Sequence, residues 1–241
     1  MYDIHCHVIY GVDDGADTVD ESVNMLRMAY ESGTDAVVAT PHCNIPDMYE
    51  NFWGAELEKK FNEIKVALSD EKIPIELYKG QEIFCCGEFI EGLKSGKLIT
   101  LNSSRYPLVE FRFNEHADSV YSKLESIVAE GYVPVVAHPE RYHFVAESPD
   151  APEKLKKMGC LLQINKGSLT GKFGESVKSV AHKIVAHRLA SVVASDGHGP
   201  FMRTPNLGDV HEYISERYST AYADLLLVEN PKAILNNLTI D

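Results

Sequence analysis

No stretch of the chain approaches the ~20 consecutive apolar residues that a helix needs to cross a bilayer. The first residues, MYDIHCH, also lack the basic start and apolar core of a secretory signal. Both absences predict a cytoplasmic protein with no direct membrane insertion. Cysteine is scarce. Five residues, an odd number with no C-x-x-C pair, do not make the disulfide framework of a small secreted domain. None of the five has an arginine six positions on, where Val12, Tyr49, Glu91, Gly92 and Lys166 stand instead, so the thiolate loop of a cysteine phosphatase is missing. GLKSGK and GSLTGK are each one residue short of a nucleotide-binding P-loop and lack the hydroxyl residue after lysine. No G-x-S-x-G elbow occurs. Positive charge is in deficit, 23 Lys and Arg against 36 Asp and Glu, for a formal net charge of −13. That balance argues against nucleic acid or an anionic membrane as partner, since both need a basic face. It also means that an anionic substrate needs local cations to reverse the sign at its site.

What remains is the composition of an ordinary globular protein, 44% hydrophobic and 24% charged over 241 residues, within the size range of an α/β barrel. No repeat, linker or break in composition divides it, so one domain is expected over 1–241. Seven apolar, β-branched segments read as strands, at 1–5, 35–42, 74–82, 106–111, 133–138, 160–165 and 189–196. Helical stretches lie between them. In the first, Val23, Leu26 and Tyr30 fall on one face, Thr18 and Glu21 make a capping-box pattern, and Gly33 is the stop. Further helices are expected through 50–68, 116–130, 152–158, 174–188 and two stretches between 206 and 238. Alternation of this kind predicts parallel βα units, closed into a barrel or left as an open doubly wound sheet.

In a parallel α/β barrel the chemistry gathers at the C-terminal ends of the strands. Those ends carry His5 and His7, His42, Glu82, Glu110, His138, Asn165, and Asp196 with His198. Six of the seven therefore hold a residue type that ligates metal. Asp, Glu and His together are 46 of 241 residues, from 36 acids and 10 histidines, too few to make that coincidence ordinary. Residues i and i+2 of a strand point to one side, so His5 and His7 face one ion while Cys6 turns away. Asp14, in the loop after the first strand, is a further candidate. Two carboxylates ~5 Å apart repel by about 3 kcal/mol at an effective dielectric of ~20, so a cluster of Glu82, Glu110, Asp196 and Asp14 needs cations. Imidazole with carboxylate suits zinc, manganese or iron without choosing among them. Arg141, in AHPER, and Arg203, in DGHGPFMR, follow these ligands closely, and guanidinium forks match phosphate oxygens.

DIHCH, VDDG, TPH, QEI, SRYPLVEF, AHPERY, ASDGH and ENPKAIL follow one another in order, and with them the chain resembles the polymerase and histidinol phosphatase (PHP) superfamily. The nearest branch is that of bacterial manganese-dependent protein-tyrosine phosphatases encoded with capsule and exopolysaccharide genes. The resemblance implies a single domain with a distorted seven-stranded barrel and three divalent ions, manganese foremost, with iron or zinc as alternatives. His5, His7, Glu82 and Asp196 would hold one ion. Glu82 would bridge to a second bound by Glu110 and His138, and His42, His198 and Asp14 would hold the third. It implies a phosphoric monoester hydrolase that attacks phosphotyrosine with a metal-activated hydroxide, Arg141 and Arg203 holding the phosphate. The implied partner is the tyrosine-rich tail of a bacterial tyrosine kinase. Glu110 stands where histidinol phosphatases commonly carry histidine, and Gly11 departs from the acidic residue that tyrosine phosphatases of this kind can carry. Competing readings are a small-molecule phosphomonoesterase such as a histidinol phosphatase, amidohydrolase chemistry with a bridging lysine, and a non-catalytic metal-binding regulatory domain.

Overall fold

In the computed structural model, which describes residues 1–240, every pairing between strands is parallel. The strands are β1 (Tyr2–Cys6), β2 (Ala36–Ala39), β3 (His42–Cys43), β4 (Glu76–Lys79), β5 (Glu82–Phe84), β6 (Leu108–Glu110), β7 (Val135–Ala137), β8 (Leu161–Asn165) and β9 (Val192–Ala194). They form two sheets, ordered β1-β2-β4 and β3-β5-β6-β7-β8-β9, with helices between successive strands except from β2 to β3 and from β4 to β5. This is an α/β fold built on parallel sheets, as the alternation of strand and helix signals predicts.

The seven expected strands appear as nine because the second and third each break. Between β2 and β3 the chain passes through Thr40 and Pro41, and proline has no N–H to donate to a ladder. Between β4 and β5 it passes through Gly80 and Gln81, and the Gln81 amide donates to Asn51 O (2.7 Å) while its carbonyl accepts from Ile99 N (2.7 Å). Past each break the chain pairs in the other sheet. Backbone bonds run across both junctions: Glu82 N donates to Pro41 O (3.1 Å), Asp196 N to His5 O (2.9 Å) and His7 N to Gly197 O (2.8 Å). The named strands nevertheless make two ladders and not one closed ring.

Ile4, Val38, Leu108, Val135, Ala137, Leu161, Val192 and Ala194, from six strands, pack into one apolar cluster. Larger clusters fill the space between the strands and the helices. Along β8 the side chains on one face change character: Leu161 lies in the apolar cluster, Gln163 meets His5, and Asn165 meets Asp196. The same change occurs from Leu108 to Glu110 in β6 and from Ala194 to Asp196 after β9. Apolar packing thus holds the strands together at one end and leaves polar side chains converging at the other.

The first helix runs Val19–Glu31, with Thr18 as N-cap accepting from Glu21 N (3.2 Å). Its buried face carries Ser22, Val23, Met25, Leu26 and Ala29. Tyr30, expected beside Val23 and Leu26, is 42% exposed; five residues of the helix already cover the sheet, and Tyr30 lies outside their stripe. The other expected helices appear as Ala55–Asp70, Ala117–Ala129, Ala151–Lys157, Glu175–Ala186 and Gly208–Arg217, with a run from Thr220 to Leu235 that contains a π turn at Leu225–Glu229. No helix of the described residues is long and apolar enough to cross a membrane.

A Cβ on Gly80 would come 2.7 Å from Val38 Cγ1 and 3.1 Å from Leu101 Cδ2, both in the buried cluster. Gly80→Ala is expected to cost ~1–2 kcal/mol through overpacking and to lower the melting temperature by roughly 2–8 °C. Thermal unfolding checks this, and an unchanged midpoint would show that the break tolerates a side chain.

Candidate metal centre

His5, His7, His42, Glu82, Glu110, His138, Asp196 and His198 lie at the C-terminal ends of the strands, with Asp14 beside them on the loop after β1. All but His42 and Asp14 are buried. Two strand ends reach inward through left-handed backbone, His138 at φ 34° and Asp196 at φ 50°, a conformation uncommon for residues other than glycine and often kept at functional positions. Gly15 permits the first loop to fold back, since a Cβ there would sit 2.2 Å from His7 O.

The donor atoms form three overlapping groups, each with all its atoms within 4.8 Å of one another: His5, His7 and Asp196; His42, Glu82 and Glu110; and His7, Asp14, His42 and His198. Glu82 sits at the middle. Its Oε2 is 3.3 Å from His5 Nε2, 3.4 Å from His7 Nε2 and 2.9 Å from His42 Nδ1, while its Oε1 is 2.8 Å from His138 Nε2. Glu110 lies 3.6 Å from both His138 and His42. Asp14 Oδ1 is 3.3 Å from His198 Nε2 and 3.5 Å from His42 Nε2. All nine expected ligands are thus brought together. His42 differs from the expected grouping by facing Glu82 and Glu110 with one ring nitrogen and Asp14 with the other.

Three observations fit a cation. Ligands ~2.1 Å from one ion lie about 3.0–3.4 Å from each other in octahedral or tetrahedral arrangement, close to most of the separations here. Secondly, His42 Nδ1, Glu82 Oε2, Asp196 Oδ1 and His198 Nε2 are buried and crowd one another, yet none makes a hydrogen bond of proper geometry, although buried polar atoms normally do. Thirdly, His5 and His7 face each other through Nε2 at 3.2 Å. His5 Nδ1 donates to Gln163 Oε1 (2.8 Å) and His7 Nδ1 to Asp13 Oδ2 (2.8 Å). Two lone pairs, or two N–H groups, would repel across that gap. One shared proton or one cation relieves it.

In the absence of metal, protons carry the compensating charge. Burial opposes ionisation of Glu82, but the charges of His5 and His42 outweigh it and hold the carboxyl well below its ordinary range. Asp196 is likewise held low against burial, by His5, His7 and Arg203. Burial and the neighbouring Glu82 charge push Glu110 up to about 8. Burial takes His138 down to about 4, whereas neighbouring carboxylates raise His5, His7 and His42 against the cost of burial. Close contact with the His198 ring lowers Asp14.

Arg203 Nη2 donates to Asp196 Oδ2, and Arg141 Nη1 lies 3.9 Å from the same oxygen. Both arginines therefore reach the cluster, with side chains 21% (Arg141) and 27% (Arg203) exposed. Among the described residues no lysine contacts the cluster's donor atoms, and buried Lys166, after β8, turns its Nζ to Asn206 O and Asp209 (3.1 Å). Cys6 turns away from the cluster into the apolar packing.

Asp13 was not expected to take part. It accepts from His7 Nδ1, from His42 N (2.9 Å) and, through Oδ1, from Gly15 N (3.0 Å), so one carboxylate orients the His7 ring, as outer partners of ligating histidines do, and ties the His42 backbone to the first loop. The DDG triplet was its only signal, and spacing does not tell which aspartate faces in. Gln163 was missed because it lies mid-strand in an apolar run; it links His5 to Asn165, whose amide in turn donates to Asp196.

A family model described as capsular polysaccharide synthesis, CpsB/CapC, matches residues 1–236. Tyrosine-protein phosphatase YwqE of Bacillus subtilis is 34% identical over 244 residues, which span 100% of this chain and 93% of YwqE. Among solved structures, the crystal structures of YwqE from Bacillus subtilis and CpsB from Streptococcus pneumoniae, described as metal-dependent tyrosine phosphatases, include a chain that superposes with a TM-score of 0.93 at 33% identity, covering 100% of this chain and 96% of that one. A phosphotriesterase homology protein from Escherichia coli superposes at 0.62 with 12% identity over 97% of this chain and 98% of its own; that likeness is one of fold.

Removing the acceptor of His7 in Asp13→Ala should weaken manganese binding about 10–100-fold, as read by competition with a chelator, and unchanged affinity would mean that Asp13 orients nothing. The folded, metal-free protein keeps a proton on Glu110 up to about 8, whereas the unfolded chain releases it near 4.5. The raised histidines act in the same direction, so the stability of the metal-free protein should fall as pH rises from about 6 to about 8. Metal binding displaces those protons and strengthens over the same interval. The gap in melting temperature between manganese-loaded and metal-free protein is therefore expected to widen from about pH 6 to about pH 8; a constant gap would contradict the assignment.

Proposed function

The chain belongs to the CpsB/CapC family of capsular polysaccharide synthesis proteins, and we propose that it is a metal-dependent protein-tyrosine phosphatase, a phosphoric monoester hydrolase. The observation that carries this reading is the convergence of nine donor side chains from six strand ends and the loop after β1, with two arginines at one edge. His5, His7, Glu82 and Asp196, then Glu82, Glu110 and His138, then His42, His198 and Asp14 would hold three divalent ions, manganese first among the candidates. Such ions, when bound, supply Lewis acidity and a water acidic enough to provide a nucleophile at neutral pH.

The protein's own residues do the rest. Asp13 and Gln163 fix the ring orientations of His7 and His5. Arg141 and Arg203, part-exposed at the edge, receive a phosphoryl group entering from solvent and hold its non-bridging oxygens while charge spreads over them. No cysteine serves as nucleophile. Cys6, Cys43, Cys85 and Cys160 are buried and Cys86 half-buried, all with thiols raised by burial, which suppresses the thiolate such chemistry needs. A tyrosine leaving group, a phenol of pKa ~10, departs with less protonic help than an alkoxide.

We read the two sheets as one distorted barrel of seven strands, within a single domain over 1–241; the backbone bonds across both junctions and the shared apolar cluster support this. A cytoplasmic setting fits five free cysteines. The substrate would be a phosphotyrosine protein, and the flexible tyrosine-rich tail of a bacterial tyrosine kinase suits a site at the rim of a fold.

With manganese-loaded protein, a phosphotyrosine peptide should be hydrolysed in preference to histidinol phosphate. Arg141→Ala should lower kcat by about 10²–10³-fold, and His138→Ala should remove most turnover while the fold persists. Preference for histidinol phosphate would shift the reading to a small-molecule phosphatase. No release from any phosphomonoester would leave a metal-binding regulatory domain.

A further inference from the structure

Phe173 stands outside the metal cluster, in the turn between β8 and the helix Glu175–Ala186, and none of the motifs above includes it. Three contacts define its ring. The guanidinium carbon of Arg141 lies 4.7 Å from the ring centroid, and that of Arg203 lies 5.8 Å from it. The ring also rests on the backbone at Gly167, where a Cβ would come 2.8 Å from Phe173 Cε2. Arg141 has a second aromatic neighbour, Phe113, at 4.4 Å.

Arg141 and Arg203 are distant in sequence, arise from different strand ends and carry the same charge. Both reach one oxygen of Asp196, and that carboxylate is itself among the donors of the metal cluster. Once an ion draws on Asp196, less of its charge is left to hold two guanidinium groups close together. An aromatic face attracts a cation through its quadrupole without taking up any in-plane N–H. A guanidinium so held keeps its edge donors free for a tetrahedral anion. The small residue at 167 lets the ring sit close to the first turn after β8.

We propose that Phe173 is a positioning residue for the arginine pair, its ring holding Arg141 and Arg203 at the separation that accepts one phosphoryl group. This rests on the reading that these arginines receive phosphate. The contribution comes from an aromatic face, so volume alone does not replace it.

The test compares Phe173→Leu and Phe173→Tyr with wild type, all manganese-loaded. Metal content, thermal midpoint, binding of inorganic phosphate by calorimetry, and kcat and KM on a phosphotyrosine peptide are measured. Phe173→Leu is expected to keep its metal and its fold while losing about tenfold in phosphate affinity and in kcat/KM; Phe173→Tyr should stay within about twofold of wild type. Wild-type phosphate affinity in Phe173→Leu, or equal losses in both variants, would overturn the proposal, the second by reducing the ring to packing. If the wild type hydrolyses no phosphotyrosine yet its phosphate affinity falls in Phe173→Leu, the phosphatase reading fails and the role of Phe173 stands. A loaded wild type that binds no phosphate overturns both.

Discussion

Three carboxylates and four imidazoles share a space that water scarcely reaches. Glu82, Glu110 and Asp196 stand among His5, His7, His138 and His198, all buried, and a buried charge is tolerated only when it is paired. In the metal-free protein the pairing is done by protons, which is why Glu110 holds one far above the usual carboxyl range and why His5 and His7 titrate high. The crowding is costly and the fold maintains it with care. Asp13, Gln163 and Asn165 each spend a hydrogen bond on orienting a cluster member, and His138 and Asp196 accept left-handed backbone. The same crowding gives a donor set able to hold a metal ion.

The fold serves that end by separating two jobs. Apolar residues at one end of the strands bind the sheets together, and every second residue further along becomes a polar group aimed at the same volume. Because the strands are parallel, each delivers its C-terminal residue to the same side. The breaks at Pro41 and Gly80 shift His42 and Glu82 into the second sheet, where they meet Glu110 and His138. The interruptions therefore bring His42 and Glu82 to the rest of the cluster.

Much of this was legible in the sequence. Strand positions follow from β-branched runs, and strand ends follow from strand positions, so His5, His7, His42, Glu82, Glu110, His138, Asp196 and His198 could be singled out before any contact was known. What escaped depends on long-range packing. The face of the first helix drifted from Tyr30 toward Met25 and Ala29 because the sheet beneath selects the buried stripe. The division into nine strands depends on which neighbour each segment meets past its break. Asp13 and Gln163 were hidden for a related reason: a residue that orients a ligand leaves no spacing of its own, since its partner lies far away in the chain or in a loop whose fold the sequence does not declare.

Anomalous diffraction from crystals grown with manganese addresses the central claim most directly. The account predicts strong manganese peaks bounded by His5, His7, Glu82 and Asp196, by Glu82, Glu110 and His138, and by His42, His198 and Asp14, at ordinary ligand distances. Crystals of well-folded protein with no anomalous density among these side chains, at manganese concentrations that occupy other sites, would contradict it.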